Sequence, residues 1–198
     1  MLTLKNVRKT FNKGTINEKK ALNGINLHLD SGDFVTIIGG NGAGKSTTLN
    51  MIAGVYPIDS GKIEINGVNV SRQPEYARAK YIGRVFQDPM RGTAAGMEIV
   101  ENMALAYRRG QKRGLSWGVT AKEREIFHDA LKRLGLGLED RMSSKVGLLS
   151  GGQRQALTLL MATLKKPELL LLDEHTAALD PKTAYKVLSL TEEIISEQ

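Results

Sequence analysis

The sequence predicts an α/β protein with a mostly parallel core sheet, an antiparallel β portion and a helical insertion. Three observations carry this. Phe34-Val35-Thr36-Ile37-Ile38 is a short apolar run that opens into a glycine cluster and then a segment with helical spacing. Leu169 to Leu172 is a second apolar run, ending in the adjacent carboxylates Asp173 and Glu174. Near-continuous β-rich apolar runs are what strands covered on both faces of a parallel sheet look like. Between the two runs, Glu98 to Leu134 carries helical periodicity, which sets that stretch apart from the strands. At 198 residues, the chain is expected to be one domain, 1–198, with a helical lobe over about 88–150.

The elements follow in order. Leu2 to Val7 and Ile25 to Leu29 alternate apolar with polar residues and read as half-buried strands. Asp30-Ser31-Gly32-Asp33 is a turn, and Phe34 to Ile38 the covered strand. Lys45 to Ala53 has helical spacing through Leu49, Ile52 and Ala53 and stops at Gly54, a residue suited to the left-handed cap. Lys62 to Val70 is a hairpin, because Asn66-Gly67 supplies the positive φ angles of a two-residue turn. Ile82 to Phe86 is a further strand. Phe127, Leu131 and Leu134 line one helical face that ends at Gly135. Gln153 to Leu164 is a helix, Leu169 to Leu172 a fully buried strand, and Pro181 opens a last helix.

Composition narrows the chemistry. With no cysteine, disulfides, thiolate catalysis and cysteine-ligated zinc are excluded. Lys plus Arg at 28 against Asp plus Glu at 21 leaves +7, which favours an anionic partner: nucleotide, nucleic acid or lipid headgroup. The N-terminus lacks the charged and apolar regions of an export signal, and no stretch approaches the length needed to cross a bilayer.

Gly39-Gly40-Asn41-Gly42-Ala43-Gly44-Lys45-Ser46 fits G-x-x-x-x-G-K-[ST] in the context that gives the pattern meaning, after a strand and before a helix. Backbone N–H groups must wrap a polyphosphate closely, which side chains at the glycine positions would obstruct, while the helix start adds partial positive charge. Lys45 is placed to reach β- and γ-phosphates and Ser46 to coordinate Mg²⁺. Asp173 and Glu174 stand at a strand end, where open α/β sheets place ligands. Asp173 suits the magnesium shell and Glu174 the polarisation of water.

With Leu149-Ser150-Gly151-Gly152-Gln153 between these two motifs, the chain resembles the ATP-binding cassette family, the ATPase subunits of ABC transporters. The resemblance spans essentially the whole chain: Gly39 to Thr47, Gln87, Leu149 to Gln153, Asp173 and Glu174, then Ala178-Leu179-Asp180. It implies a P-loop core that binds ATP through Gly39, Asn41, Gly42, Ala43, Gly44, Lys45, Ser46 and Thr47. Phe11 lies where the family places an aromatic against adenine, although a plain packing role also suits it. The resemblance implies that Ser150, Gly151, Gly152 and Gln153 face the γ-phosphate held by a second copy. It also implies that Gln87 senses Mg²⁺ and the attacking water alongside Ser46 and Asp173, and that Glu174, Gln87 and Lys45 carry hydrolysis. Asp180 resembles the aspartate that couples the two sites, and is also an ordinary helix cap.

The function implied is ATP hydrolysis driving dimer closure on transmembrane permease subunits, at the cytoplasmic face of the membrane. A bacterial uptake system with an extracytoplasmic solute-binding protein fits the Asp173 to Asp180 variant, with amino acids as the cargo class. A soluble relative acting on ribosomes or DNA, and a non-hydrolysing nucleotide-binding regulator, are the alternatives. Double cassettes or long coiled-coil insertions would mark the first of these, and neither is present, so no nucleic-acid partner is expected. His175 stands where the family has proline and is read as a loop variation. The family's switch histidine follows one strand beyond the helix that begins at Pro181, and the sequence ends at Gln198, with His28 and His128 in other motifs. A C-terminally truncated chain that binds Mg-ATP but turns it over poorly is the expectation. Arg108-Arg109-Gly110-Gln111-Lys112-Arg113, followed by Trp117, is read as a solvated loop in the helical lobe.

Overall fold

Leu2, Leu4 and Val7 do not share the two-residue period of a strand, and the backbone shows how all three become buried. β1 (Leu2–Phe11) pairs antiparallel with β2 (Lys19–Leu29), and their register shifts between Leu4 and Val7. Asn6, at φ 48°, occupies the left-handed region there, and its N–H donates to Asn26 Oδ1 at 2.8 Å. The irregularity returns Val7 to the inner face, where it is fully buried. In the computed structural model, residues 1–88, 90–111, 114, 118–173, 185 and 189 are described. The chain divides into two compact units, residues 1–82 and 83–198.

In the first unit, β1 also pairs antiparallel with β3 (Ser60–Ile65), which turns back through Asn66 (φ 46°) and Gly67 (φ 76°) into β4 (Val68–Asn69). Both turn residues have the positive φ that a type I′ connection requires. The sheet order is β2-β1-β3-β4. Helix α1 (Lys45–Ala53) ends as expected: Gly54 takes φ 84°, its N–H donates to Met51 O, and the Val55 N–H donates to Asn50 O. Met51, Ile52 and Ala53 are buried with Leu4, Ile63 and Ile65 in this unit. A short helix α2 (Glu75–Arg78) places Arg78 in the interior.

Phe34 to Ile38 departs from expectation. The run forms no strand and is open to solvent, with Phe34 69% and Ile38 90% exposed. A parallel strand acquires its burial from hydrogen-bonded neighbours and from layers over both faces. Within residues 1–82 the four antiparallel strands pair among themselves and offer this run no neighbour.

In the second unit β5 (Ile82–Val85) pairs with β6 (Leu169–Leu172), and the Asp173 N–H donates to Val85 O at 3.1 Å. The carboxyl ends of both strands thus reach one edge, the arrangement of a parallel pair. β6 is less enclosed than its leucines suggest, since only Leu171 is fully buried. The helical stretch breaks into α3 (Ile99–Tyr107) and α4 (Ala121–Arg133), and α5 (Gly151–Thr163) follows. Ile99, Met103, Phe127, Leu131, Leu134, Val146 and Leu157 make their common core. The Phe127 ring meets Tyr107 edge-on at 5.6 Å. All three helices start with a reciprocal capping box: Glu98 with Glu101, Thr120 with Glu123, and Ser150 with Gln153. Each box satisfies two N–H groups that would otherwise lack partners, and a cap of this kind contributes about 1 kcal/mol.

Candidate nucleotide site

The glycine loop is built by two residues in the left-handed region, Gly42 at φ 82° and Gly44 at φ 90°. Gly44 is also enclosed: a β-carbon there would lie 3.0 Å from the Ala21 carbonyl and 3.1 Å from Leu22 Cδ2. Ala43 N–H closes the turn on Gly40 O at 3.2 Å, and a β-carbon on Gly39 would sit 3.0 Å from that of Ala43. No side chain caps the start of α1. Its first N–H groups have no acceptor in the helix, and the positive end of the helix dipole lies with them. An anion fits such a start.

Lys45 folds back over the loop, its ammonium donating to Gly39 O at 2.7 Å and Gly40 O at 3.2 Å. Ser46 is exposed and Thr47 half-buried on the first turn, and Asn41 is exposed at the loop tip. Thr48, one residue further, is buried and anchors the turn, its N–H and Oγ1 both donating to Gly44 O, at 2.8 and 2.9 Å.

Phe11 ends β1, opposite Lys19, and is half-buried. Its ring meets Tyr56 edge-on with centroids 5.3 Å apart, and Lys9 Nζ lies 5.5 Å from its centroid. Lys9 is itself held by the Pro57 carbonyl at 2.8 Å and by Asp59. The Lys9 and Thr10 hydrogen bonds hold the Asp59 carboxyl below its ordinary range, against a desolvation effect that raises it. The aromatic is thus fixed in place by a neighbouring ring and cation.

In the second unit, Ser150 caps α5: Gln153 N–H donates to its Oγ at 3.2 Å, and Gln153 Oε1 accepts from Ser150 N–H at 3.1 Å. Ser150 and Gly151 are exposed, Gly152 is half-buried, and a β-carbon on Gly151 would meet nothing within 4 Å. The helix tip therefore lies open, with the serine hydroxyl proton and the first helical N–H groups free of intrahelical acceptors. At the shared edge of β5 and β6, Gln87 is exposed and Asp173 half-buried. Glu174, His175, Ala178 to Asp180 and Pro181 lie outside the described residues, as do Lys112, Arg113 and Trp117.

Two residues that sequence reasoning passed over tie the signature helix into its unit. Arg154 is buried and fans one guanidinium nitrogen over the carbonyls of Val146, Gly147 and Leu149. Gln155, fully buried, donates to Phe86 O at 3.4 Å, beside Gln87. Nothing in the local sequence marks these polar side chains as buried, and only packing reveals them as anchors. The basic cluster is likewise not simply solvated. Arg108 pairs bidentately with Glu123, at 2.9 and 2.7 Å, and Arg109 donates to the Ala162 carbonyl at 3.2 Å.

Comparison with known proteins identifies the family. The family model described as "ABC transporter" matches residues 22–177. A tyrosine transport ATP-binding protein of Clostridioides difficile is 41% identical over 198 residues, covering all of this chain and 78% of its own length. A methionine import ATP-binding protein of Helicobacter acinonychis is 35% identical, over 98% of this chain and 56% of its own. An ATP-binding cassette solved as a dimer in a post-hydrolysis state with ADP and Pi superimposes with a TM-score of 0.83 at 32% identity, covering 100% of this chain and 84% of its own.

Proposed function

The chain belongs to the ABC transporter family as an ATP-binding, ATP-hydrolysing cassette with the α/β fold of its structural neighbours, and from that premise we propose that two copies close head to tail on two ATP molecules. Each site would join the Gly39 to Thr47 loop of one copy to the Ser150 to Gln153 tip of the other. The observation that carries this reading is the open α5 tip, whose capping box leaves Ser150 and Gly151 exposed. A dimeric relative caught with ADP and Pi supports it.

The reaction is in-line attack of water on the γ-phosphate, which rests on positioning and charge stabilisation. Lys45 and the loop N–H groups hold the β- and γ-phosphates, Phe11 seats the base, Glu174 orients and deprotonates the water, and Gln87 contacts it. The hydroxyl of Ser46, the amide oxygen of Gln87 and the carboxylate of Asp173 are hard oxygen donors of the kind Mg²⁺ takes. When bound there, Mg²⁺ would neutralise charge on the phosphate oxygens.

The dimer would sit peripherally on permease subunits at the cytoplasmic face, docking through residues 87–106. Among the described residues no helix is long and apolar enough to cross a membrane. The relatives named for tyrosine transport and methionine import support a bacterial uptake system for amino acids, with a solute-binding protein as a further partner. Several arginines behind the +7 balance, Arg78, Arg109 and Arg154, spend their charge on internal carbonyls. That weakens any nucleic-acid reading.

The test is Glu174→Gln. With saturating Mg-ATP this variant is expected to run as a stable dimer in sedimentation velocity while hydrolysing almost nothing. A variant that binds ATP yet stays monomeric would sink the shared-site model.

A further inference from the structure

We propose that Lys19 is a second nucleotide-holding cation, gripping the α-phosphate side of the nucleotide between the aromatic at Phe11 and the loop at Gly42. The inference rests on the phosphate-loop reading and adds a residue to it. Lys19 is the first residue of β2, and its Cα stands opposite that of Phe11. Its ammonium lies 3.9 Å from where a β-carbon on Gly42 would be, so the charge sits over bare backbone at the centre of the glycine loop.

Among the described residues Lys19 makes no ion pair, although its neighbours do. Lys9 is held by Asp59, and the nearest carboxylate in sequence, Glu18, is turned away to accept from Gly14 N–H at 2.8 Å. Lys45 occupies the other side of the loop, on the carbonyls of Gly39 and Gly40. The loop thus carries one ammonium near its start and another over Gly42.

In a nucleoside triphosphate the α-phosphate lies between the base and the two outer phosphates. A cation between the base-seating ring and the loop centre therefore meets the group common to ATP and ADP. Its attraction is that of an ammonium for phosphate oxygens at a partly solvated site. Lys19 consequently sets the affinity for both nucleotides, whereas Lys45 acts on the outer phosphates.

Calorimetric titration of ATP and of ADP into wild type, Lys19→Ala, Lys19→Gln, Lys19→Arg and Lys45→Ala tests this. Lys19→Ala and Lys19→Gln are expected to raise both Kd values by the same factor, roughly tenfold, the scale of one charge-assisted contact. Lys19→Arg should restore most of the loss, and nucleotide-free melting temperatures should not change, because the side chain is exposed. Kd values within about twofold of wild type in both neutral variants would overturn the proposal, as would a loss confined to ATP or a loss that arginine does not rescue. If Lys45→Ala also binds normally, the phosphate-loop reading itself falls; if only the Lys19 variants do, that reading stands without Lys19.

Discussion

The guanidinium of Arg78 donates to the Met51 carbonyl at 2.7 Å, and both residues are buried, at 1% and 0% exposure. The same nitrogen reaches Ile52 O at 2.9 Å, and the rest of the fork reaches the carbonyls of Gln73 and Ser71. A cation thus closes the negative end of α1, the helix whose positive end forms the phosphate loop. Burial pulls the Arg78 pKa below its ordinary value, and the four acceptors around the guanidinium are neutral carbonyls.

Arg78→Met should therefore orphan several buried carbonyls and destabilise the protein by about 3 kcal/mol. Arg78→Lys should recover little, because a single ammonium cannot span four acceptors lying in a fork. Urea unfolding midpoints check both. A midpoint within error of wild type for Arg78→Met would show that the carbonyls find other donors.

Gly44→Ala should be costly for a different reason. The residue sits at φ 90° with the Ala21 carbonyl and Leu22 Cδ2 at 3.0 and 3.1 Å from the new methyl. The left-handed conformation alone costs a side-chain-bearing residue about 1–2 kcal/mol, and the backbone contact adds to it. Thermal unfolding should drop and ATP affinity should fall with it. Gly40→Ala, where φ is not positive and a β-carbon meets nothing within 4 Å, should leave the melting temperature unchanged.

Glu123 gives a pH prediction. The Arg108 hydrogen bond first, and then the Thr120 contacts, lower its carboxyl from 4.5 to about 2, against desolvation that raises it. A depressed carboxylate binds fewer protons folded than unfolded, so its stabilisation is complete above 4.5 and is lost as pH falls through about 2. Glu123→Gln should flatten the acid limb of stability between those values relative to wild type, with Arg108→Gln doing the same. Unchanged slopes in denaturant unfolding across that window would remove the pair from the acid response.

Local patterns were legible wherever a short stretch carries its own instruction. Asn66-Gly67 specified its turn and Gly54 its helix end, because each depends on a few neighbouring backbone dihedrals, whereas the Ser150–Gln153 capping box, which starts the helix at Gly151 and not at Gln153, came from the structure. Leu2, Leu4 and Val7 were legible as strand residues, whereas the irregularity at Asn6 that brings Val7 onto the same buried face as Leu2 and Leu4 was not. The helical stretch from Glu98 to Leu134 was read correctly in kind, but its interruption after Tyr107 was not foreseen. The Arg108 to Arg113 cluster read as solvated because like charges in sequence suggest repulsion, and nothing local announces a carboxylate fifteen residues on at Glu123.

By itself the sequence determined the glycine loop, the serine-led helix tip and the carboxylates after Leu172, since these chemistries reside in residue identity and spacing. Tertiary structure decided which groups are enclosed. It buried Arg78, Arg154 and Gln155 on carbonyls far away in the chain, exposed Phe34 to Ile38, left β6 half-covered, and set Lys19 over Gly42. Burial is a property of neighbours, and neighbours distant in sequence meet only when the chain has folded.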